Sequence, residues 1–180
     1  ASALVETLRG LGYSPATAIA DIIDNSIAAQ ASVVDLQIYW QSQESSITIL
    51  DDGCGMDATE LDHAMRLGEK SPLADRHESD LGRFGIGLKT ASFSQCRRLT
   101  VASRKAGTRV ECLCWDLDVL AASRDEGWHL LEGPDESSPH LLAPLESAES
   151  GTLVVWERLD RLVTTGFSEQ NLLDLLDVVE

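Results

Sequence analysis

The pattern of hydrophobic and polar positions along this chain predicts alternating helices and strands. Between residues 15 and 31 four isoleucines recur at helical spacing, and Ser14-Pro15 supplies a capping serine followed by a first-turn proline. Residues 33–40 alternate apolar and polar side chains, as a half-buried strand does. In the first half of the chain we predict a short helix over 1–9, a helix over 15–31, strands over 33–40 and 46–50, and a helix from Asp57 to about Leu67. In the second half we predict a glycine-rich turn opening into a helix over 82–95, followed by strands at about 97–104, 108–116 and 128–131. A strand from Gly151 and a last helix capped by Ser168 complete the prediction.

Two polar stretches interrupt these elements. Residues 68–82 lack apolar periodicity and are predicted to form a long loop. Residues 132–150 contain three prolines among acidic and serine residues, and we expect a flexible connection. The elements together predict an α+β fold, a two-layer α/β sandwich with its helices on one face of a mixed, mostly antiparallel sheet. The length of 180 residues and the hydrophobic content of 43% suit a single domain over residues 1–180.

Charge is distributed unevenly along the chain. The formal net charge is −16, yet ten of the fourteen Lys and Arg residues fall between Arg66 and Arg109, where only four acidic residues oppose them. So acidic a chain is not expected to grip the phosphate backbone of a nucleic acid. The local basic stretch indicates either the phosphates of a small ligand or a surface for a partner.

The sequence contains no run of about 18 apolar residues and no basic-then-apolar leader, so we expect no membrane association and a cytoplasmic location. Its histidines stand alone, and its cysteines form no CxxC pair. This usage favours free, buried thiols in a reducing compartment over a zinc site. The cysteines are Cys54, Cys96, Cys112 and Cys114.

The first candidate site lies on the helix predicted over 15–31. Asp21 and Asn25 are four residues apart on the side opposite the isoleucines, and that side is otherwise alanine. A solvated face usually carries long charged side chains, but no Lys or Arg lies between Gly10 and Met65. A carboxylate and an amide that face a cavity suit Mg²⁺, which prefers oxygen ligands and phosphates. An ordinary solvated helix face is the alternative.

The second candidate is the segment from Asp51 to Met56 (DDGCGM), directly after a predicted strand. An aspartate at the end of a strand can accept a hydrogen bond from an exocyclic amine. The two glycines would let the backbone come close to a flat ring. Because Asp and Gly are also common turn residues, an ordinary strand-to-helix turn stays open as the alternative.

The third candidate is the glycine-rich segment from Gly82 to Thr90 (GRFGIGLKT). Three glycines before a helix leave backbone N–H groups at a positive dipole end, which is a phosphate site; a flexible hinge is the alternative. A P-loop would need lysine directly after Gly87, where Leu88 stands, and the dinucleotide GxGxxG order is absent. Gly151-Thr152, which opens a late strand, gains meaning only as the fourth member of an ordered set.

Taken in order over residues 15–160, the four segments resemble the N, G1, G2 and G3 boxes of the gyrase, heat-shock chaperone, histidine kinase and MutL (GHKL) ATPase superfamily. The D-x-x-D-N-S and GRFGIGLKTAS forms look closest to the microrchidia and MutL branch, and within it to bacterial relatives of microrchidia proteins. The resemblance implies a Bergerat-type ATP-binding fold with ATP and Mg²⁺ as ligands.

Roles are carried over by position. Asp21 corresponds to the general base that activates the attacking water, and Asn25 to the Mg²⁺ ligand. Asp51 corresponds to the adenine-reading aspartate, which Thr152 supports. Residues 68–82 correspond to a mobile ATP lid, whose Arg76 would approach the triphosphate together with two other lid residues. The implied ATP-binding residues are Asn25, Asp51, Gly53, Gly55, Met56, Lys70, Ser71, Gly82, Arg83, Phe84, Gly85, Ile86, Gly87, Leu88, Lys89 and Thr152.

One departure from the family pattern bears on turnover. The family base is usually glutamate, and Asp21 is shorter by one methylene group. A general base must come within about 3 Å of the proton that it takes, directly or through one water. The shorter side chain therefore predicts slow hydrolysis. Asp24 is a second carboxylate, interpreted as support for the pocket.

Two functions of different classes fit these residues. One is an ATPase that hydrolyses ATP slowly to drive lid closure and conformational cycling or ATP-dependent homodimerisation of a larger, DNA-linked protein. The other is a nucleotide-gated binding module with negligible turnover. A sensor histidine kinase domain is a third interpretation, although those domains usually lack an acid at the position of Asp21. A plain interaction domain without a nucleotide would require all four motifs to be coincidence.

Contact with nucleic acid is expected only through regions outside this chain, such as the transducer and C-terminal modules that the family couples to this domain. The basic pairs Arg97-Arg98 and Arg104-Lys105 are interpreted as solvated strand ends.

Overall fold

The computed structural model describes residues 7, 9–10, 13–41, 44–66, 87–123, 130–134 and 138–162. The helices predicted over 1–9 and from Ser168 therefore lie wholly or largely outside the described residues, as does the lid segment 68–82. The elements are α1 (Pro15–Ala28), β1 (Val34–Tyr39), β2 (Ser46–Asp51), α2 (Ala58–Met65), α3 (Gly87–Phe93), β3 (Arg98–Arg104), β4 (Glu111–Asp116), α4 (Leu117–Ala122), β5 (Leu131–Glu132), a 3₁₀ helix (Pro139–Leu142), α5 (Ala143–Ser147) and β6 (Gly151–Glu157).

Side-chain caps start the first two helices where the sequence predicts them. At α1 the Oγ atom of Ser14 accepts a hydrogen bond from the backbone N–H of Thr17 at 3.1 Å, and a proline stands in the first turn. At α2 the carboxylate of Asp57 accepts from the N–H of Glu60, whose own carboxylate accepts from the N–H of Asp57. This reciprocal capping box confirms the predicted start of α2.

The six strands form one sheet in the order β1-β2-β6-β3-β4-β5. Every strand pair in the described part of the chain is antiparallel, so the sheet is antiparallel where a mixed, mostly antiparallel sheet was predicted. The α+β sandwich is confirmed. Among the described residues, no helix is both long and apolar enough to cross a membrane.

Three neighbouring strands share a register that positions the site. Side chains of β3, β6 and β2 pair across the sheet in successive rows on the face that α1 and α3 cover. The first two rows are apolar and buried, and the third row is polar. The rows are Leu99–Trp156–Ile47, Val101–Val154–Ile49 and Ser103–Thr152–Asp51.

The opposite face of the sheet is covered by residues 139–147, where a flexible connection was predicted. They form the 3₁₀ helix and α5, and Leu145 is fully buried against Ala102, Leu153 and Val155. Two of the prolines from which the flexible connection was predicted stand instead in the first turns of these helices, where the missing N–H costs nothing. Helices therefore lie on both faces of the sheet, whereas the sequence predicted them on one face.

Helix α4 is an element that the hydrophobic pattern does not predict. It has six residues, too few to show an apolar stripe. Its start is fixed by Asp116, whose carboxylate accepts hydrogen bonds from the N–H groups of Asp118 at 2.9 Å and Val119 at 3.3 Å.

Candidate functional site

The polar row at the end of the sheet is centred on Asp51. Its Oδ1 atom accepts hydrogen bonds from the backbone N–H of Gly53 at 2.9 Å and of Thr152 at 3.2 Å. Its Oδ2 atom accepts from Ser26 Oγ at 2.8 Å. The residue is 8% exposed, and three donors from three segments fix the plane of its carboxylate. Oδ2 keeps room for one more donor, because a carboxylate oxygen can accept two hydrogen bonds.

Thr152 lies beside Asp51 in register, at the start of β6. Its Oγ1 atom is 2.9 Å from Ser103 Oγ on the neighbouring strand. Ser103 is fully buried and also contacts the N–H of Met56 at 2.8 Å and the carbonyl of Gly151 at 3.0 Å. One hydroxyl thus connects the loop after β2, the start of β6 and β3.

Helix α1 carries Asp21, Asn25 and Ser26 past this row. The Nδ2 atom of Asn25 donates to the backbone carbonyl of Asp21 at 2.9 Å, one turn earlier. Because the amide nitrogen donates to this helix carbonyl, the amide oxygen is the atom that can bind a ligand. Asn25 is exposed and Asp21 is half-buried, whereas Ser26 faces the sheet and is buried.

Tyr13 is a neighbour of Asp21. Burial, and then the hydrogen bond and negative charge of Asp21, raise the pKa of the Tyr13 phenol above its ordinary value. The ring packs against the apolar core, and Gln95 Nε2 donates to the Tyr13 carbonyl at 3.2 Å. The carboxylate of Asp21 therefore has a phenol donor beside it.

The loop from Asp52 to Met56 is held by contacts within the protein. Asp52 Oδ1 accepts from the N–H groups of Val33 at 2.8 Å and Ser32 at 2.7 Å, and these donors lower the pKa of its carboxyl group. Gly55 adopts φ +66°, and a Cβ there would lie 1.8 Å from the carbonyl oxygen of Arg104. A Cβ at Gly53 would lie 2.8 Å from the Cβ of Ala29. Both glycines are thus required by close packing of the chain on itself.

Of the glycine-rich segment, Gly87, Leu88, Lys89 and Thr90 lie in the described part of the chain. Lys89 is fully buried, and its ammonium group donates to the carbonyls of Ala64 at 2.7 Å and Arg66 at 2.6 Å, at the end of α2. Its side chain therefore caps a helix. The predicted site residues Lys70, Ser71, Gly82, Arg83, Phe84, Gly85 and Ile86 lie outside the described residues.

Sequence reasoning missed Ser26, Ser103 and Tyr13. Ser103 carried a readable signal, because it continues the inward-facing series Leu99, Val101 of β3 and is polar where that alternation calls for an apolar side chain. Ser26 follows Asn25 directly, but a serine within a helix has no distinguishing pattern of its own. The proximity of Tyr13 to Asp21 depends on how the chain enters α1.

The basic pairs at the ends of β3 are engaged by acidic groups or carbonyls. Arg98 pairs with the buried Asp116 at 2.8 Å, and Arg97 pairs with Asp118 at the same distance. At the other end of β3 Lys105 pairs with Glu60 at 2.7 Å, while the Arg104 guanidinium donates to the carbonyl of Glu146. Arg98 is buried and is therefore not the solvated strand end that the sequence predicted, whereas the side chains of Arg97 and Lys105 are partly exposed.

All four cysteines are free. Cys96 and Cys114 are buried as expected, and Cys112 is partly buried, but Cys54 in the loop after β2 is exposed. Burial raises the pKa of the Cys112 thiol to about 12 and holds that of Cys96 well above its ordinary range.

The chain is similar to known proteins over the segment that carries these features. A family model described as histidine kinase-, DNA gyrase B-, and HSP90-like ATPase matches residues 13–152. ATPase morc-1 of Caenorhabditis elegans is 31% identical over 93 residues, which cover 52% of this chain and 10% of that protein. The DNA mismatch repair protein MutL of Rhodospirillum rubrum is 32% identical over 113 residues, 62% of this chain and 17% of that protein.

The MutL of Shewanella woodyi is 35% identical over 94 residues, 51% of this chain and 15% of its own length. The chain thus spans less than a fifth of the length of each of these relatives. The family model, by contrast, covers well over half of the chain, and the relatives are those of the branch that the motifs indicate. The chain belongs to the histidine kinase-, DNA gyrase B-, and HSP90-like (GHKL) ATPase family, in its microrchidia- and MutL-like branch.

Proposed function

We propose that the chain is a Mg-ATP-binding domain that hydrolyses ATP slowly to drive conformational cycling or dimerisation of a larger protein. The observation that carries this proposal is the carboxylate of Asp51. It is buried, held in one plane by three donors, and able to accept one further hydrogen bond through Oδ2. The exocyclic amine of adenine can donate this further hydrogen bond to Oδ2.

Magnesium fits the face of α1 that carries Asn25. Mg²⁺ takes oxygen ligands and is usually held by one or two side chains together with phosphate oxygens and water. Asn25 presents an amide oxygen, since its nitrogen is engaged by the Asp21 carbonyl. Asn25 would therefore hold the ion, and the ion would neutralise charge on the phosphates.

Asp21 is proposed as the general base that takes a proton from the attacking water. It lies one helical turn before Asn25, so both side chains serve the same end of a bound triphosphate. The Tyr13 phenol lies beside this carboxylate, whose hydrogen bond and negative charge add to the effect of burial in raising the pKa of the phenol. The short aspartate side chain supports slow turnover, because it reaches less far than the glutamate usual in the family.

The phosphates are proposed to bind along the backbone from Gly82 to Lys89. A Cβ at Gly87 would meet no atom of the described residues within 4 Å. The Lys89 ammonium group donates its hydrogen bonds to carbonyls at the end of α2. Only the backbone of Lys89 is therefore proposed to contribute to the cradle. Lys70 and Ser71 are proposed to approach the triphosphate from the lid.

A DNA-linked role for the larger protein is proposed from the names of the relatives, two of which are DNA mismatch repair proteins. The described residues themselves offer little for nucleic acid, since the basic residues flanking β3 are engaged as described. Contact with DNA is therefore assigned to parts of the larger protein beyond this chain. ATP-dependent homodimerisation is proposed from the family.

Calorimetric titration of the chain with a non-hydrolysable ATP analogue, with and without Mg²⁺, tests the proposal. Phosphate release by the wild type and by Asp21→Asn then tests the base. Magnesium-dependent binding with turnover that is lost in Asp21→Asn supports the ATPase. If both proteins bind the nucleotide but neither hydrolyses ATP, the chain is a nucleotide-gated binding module and not an ATPase. The short Asp21 side chain favours this alternative. Absence of binding would contradict both functions.

A further inference from the structure

The hydrogen bonds of Ser103 determine which way the Thr152 hydroxyl points. A serine hydroxyl has one proton to donate and two lone pairs that accept. Ser103 Oγ has three partners, the Met56 N–H at 2.8 Å, the Gly151 carbonyl at 3.0 Å and Thr152 Oγ1 at 2.9 Å. Each partner must occupy one of these three positions.

Two of the three bonds have only one direction. The N–H of Met56 can only donate, so it takes one lone pair of Ser103 Oγ. The carbonyl of Gly151 can only accept, so it takes the single proton. The remaining lone pair must accept a proton from the third partner, and Thr152 therefore donates its hydroxyl proton to Ser103.

This leaves Thr152 Oγ1 with lone pairs alone for a ligand. The neighbouring Asp51 Oδ2 is also an acceptor, and Asp51 and Thr152 are register partners joined by the hydrogen bond from the Thr152 N–H. The edge of the pocket formed by these two side chains thus presents acceptors only. A ligand group that donates suits it, whereas a carbonyl oxygen in the same place meets lone pairs on both sides.

We propose that Ser103 is a positioning residue that makes this pocket select a 6-amino purine over a 6-oxo purine, by fixing Thr152 as an acceptor. The inference rests on the proposed function, since it takes the group next to Asp51 to be the exocyclic amine of adenine. Ser103 is fully buried and touches no ligand itself, so it acts through Thr152.

The test compares binding of ATP and of inosine triphosphate, which carry the same ribose and triphosphate. Their bases differ at the 6-position, where a carbonyl oxygen replaces the amine, and at N1, which carries a proton in inosine. Ser103→Ala removes the acceptor for the Thr152 proton, and the threonine hydroxyl can then turn and donate to a 6-oxo group. We expect the ratio of ATP affinity to inosine triphosphate affinity to fall about tenfold in Ser103→Ala. A purely structural loss would weaken both nucleotides alike and leave the ratio unchanged.

The pathway through Thr152 is tested by a double-mutant cycle. Thr152→Val removes the hydroxyl, so it should lower the same ratio, and adding Ser103→Ala to it should change the ratio no further. An equal fall in the Thr152→Val background would overturn the role assigned to Ser103, as would an unchanged ratio in Ser103→Ala. A wild-type chain that binds neither nucleotide would overturn the proposed function and this inference together.

Thermal unfolding of every variant accompanies the titrations. Ser103→Cys serves as a second variant if Ser103→Ala does not fold, because a thiol fills the buried space and is only a weak donor and acceptor. It should change the ratio in the same direction, by a smaller factor. A folded Ser103→Cys protein with the wild-type ratio would also contradict the inference.

Discussion

The Oγ atom of Ser26 donates a hydrogen bond to Oδ2 of Asp51 at 2.8 Å and so joins α1 to the end of β2. Ser26 directly follows Asn25 in α1. The carboxylate proposed to read adenine and the amide proposed to hold Mg²⁺ are therefore separated by one residue and one hydrogen bond. A nucleotide that binds both the Asp51 carboxylate and the Asn25 amide would therefore contact two elements that the Ser26–Asp51 hydrogen bond already joins.

Asp51→Asn should separate nucleotide binding from folding. With the amide oxygen in the place of Oδ1, both backbone donors keep their acceptor. The amide nitrogen then donates to Ser26 Oγ, whose proton can turn to the Ile22 carbonyl that already lies 3.5 Å away. The fold should lose no more than about 1 kcal/mol. The nitrogen would nevertheless meet the adenine amine as donor against donor, and ATP affinity should fall at least about a hundredfold.

Calorimetry and chemical denaturation of Asp51→Asn and Asp51→Ala check this expectation. Asp51→Ala leaves the N–H groups of Gly53 and Thr152 without their acceptor, so it should lose stability as well as binding. Wild-type ATP affinity in Asp51→Asn would remove the adenine assignment.

Gly55→Ala should destabilise the fold by about 3 kcal/mol or more. The residue has φ +66°, and its new Cβ would lie 1.8 Å from the Arg104 carbonyl oxygen, a backbone atom that cannot move without disturbing β3. Gly107→Ala is the matched control, because Gly107 has φ +80° and no atom of the described residues lies within 4 Å of the new Cβ. It should lose only the cost of the left-handed conformation, about 1 kcal/mol. Equal unfolding free energies for the two variants would show that the contact with Arg104 is unimportant.

The elements that the sequence predicted well are those whose signals are local. The Ser14 cap and the Asp57–Glu60 capping box lie within four residues of the helices that they start, and the isoleucines of α1 repeat at the helical period. The order of Asp21, Asn25, Asp51 and Thr152 along the chain is the basis on which the candidate site was predicted. The structure places the latter pair in contact.

The relationships that the sequence did not reveal are long-range. Gly55 approaches the backbone of Arg104, and Ser103 reaches Met56 across 47 positions, because β3 and β6 pair in one particular register. Register follows from the packing of whole strands, so it cannot be read from either strand alone. The same holds for residues 139–147, whose prolines start helices because the sheet offers Leu145 a place to be buried.

Lys89→Met should lower the free energy of unfolding by about 2 kcal/mol. The ammonium group caps the carbonyls of Ala64 and Arg66 at the end of α2, and the apolar replacement would leave these without those donors. Lys105→Met is the control. That lysine also binds acidic groups at the start of α2, but its side chain is 43% exposed, so water replaces it and the change should be much smaller. Chemical denaturation measures both, and equal losses would contradict the capping role of Lys89.

The four thiols should react with iodoacetamide in an order set by burial. Only the thiolate reacts, and with a pKa of about 12 the Cys112 thiol is ionised to roughly one part in ten thousand at about pH 8. Burial raises the pKa of Cys96 and Cys114 as well, and it also blocks the reagent. Cys54 is exposed in the loop after β2, so mass spectrometry should find it modified first, with the other three following only in denaturant. If Cys112 were labelled in the native protein as fast as Cys54, the burial of Cys112 on the face of the sheet that residues 139–147 cover would be contradicted.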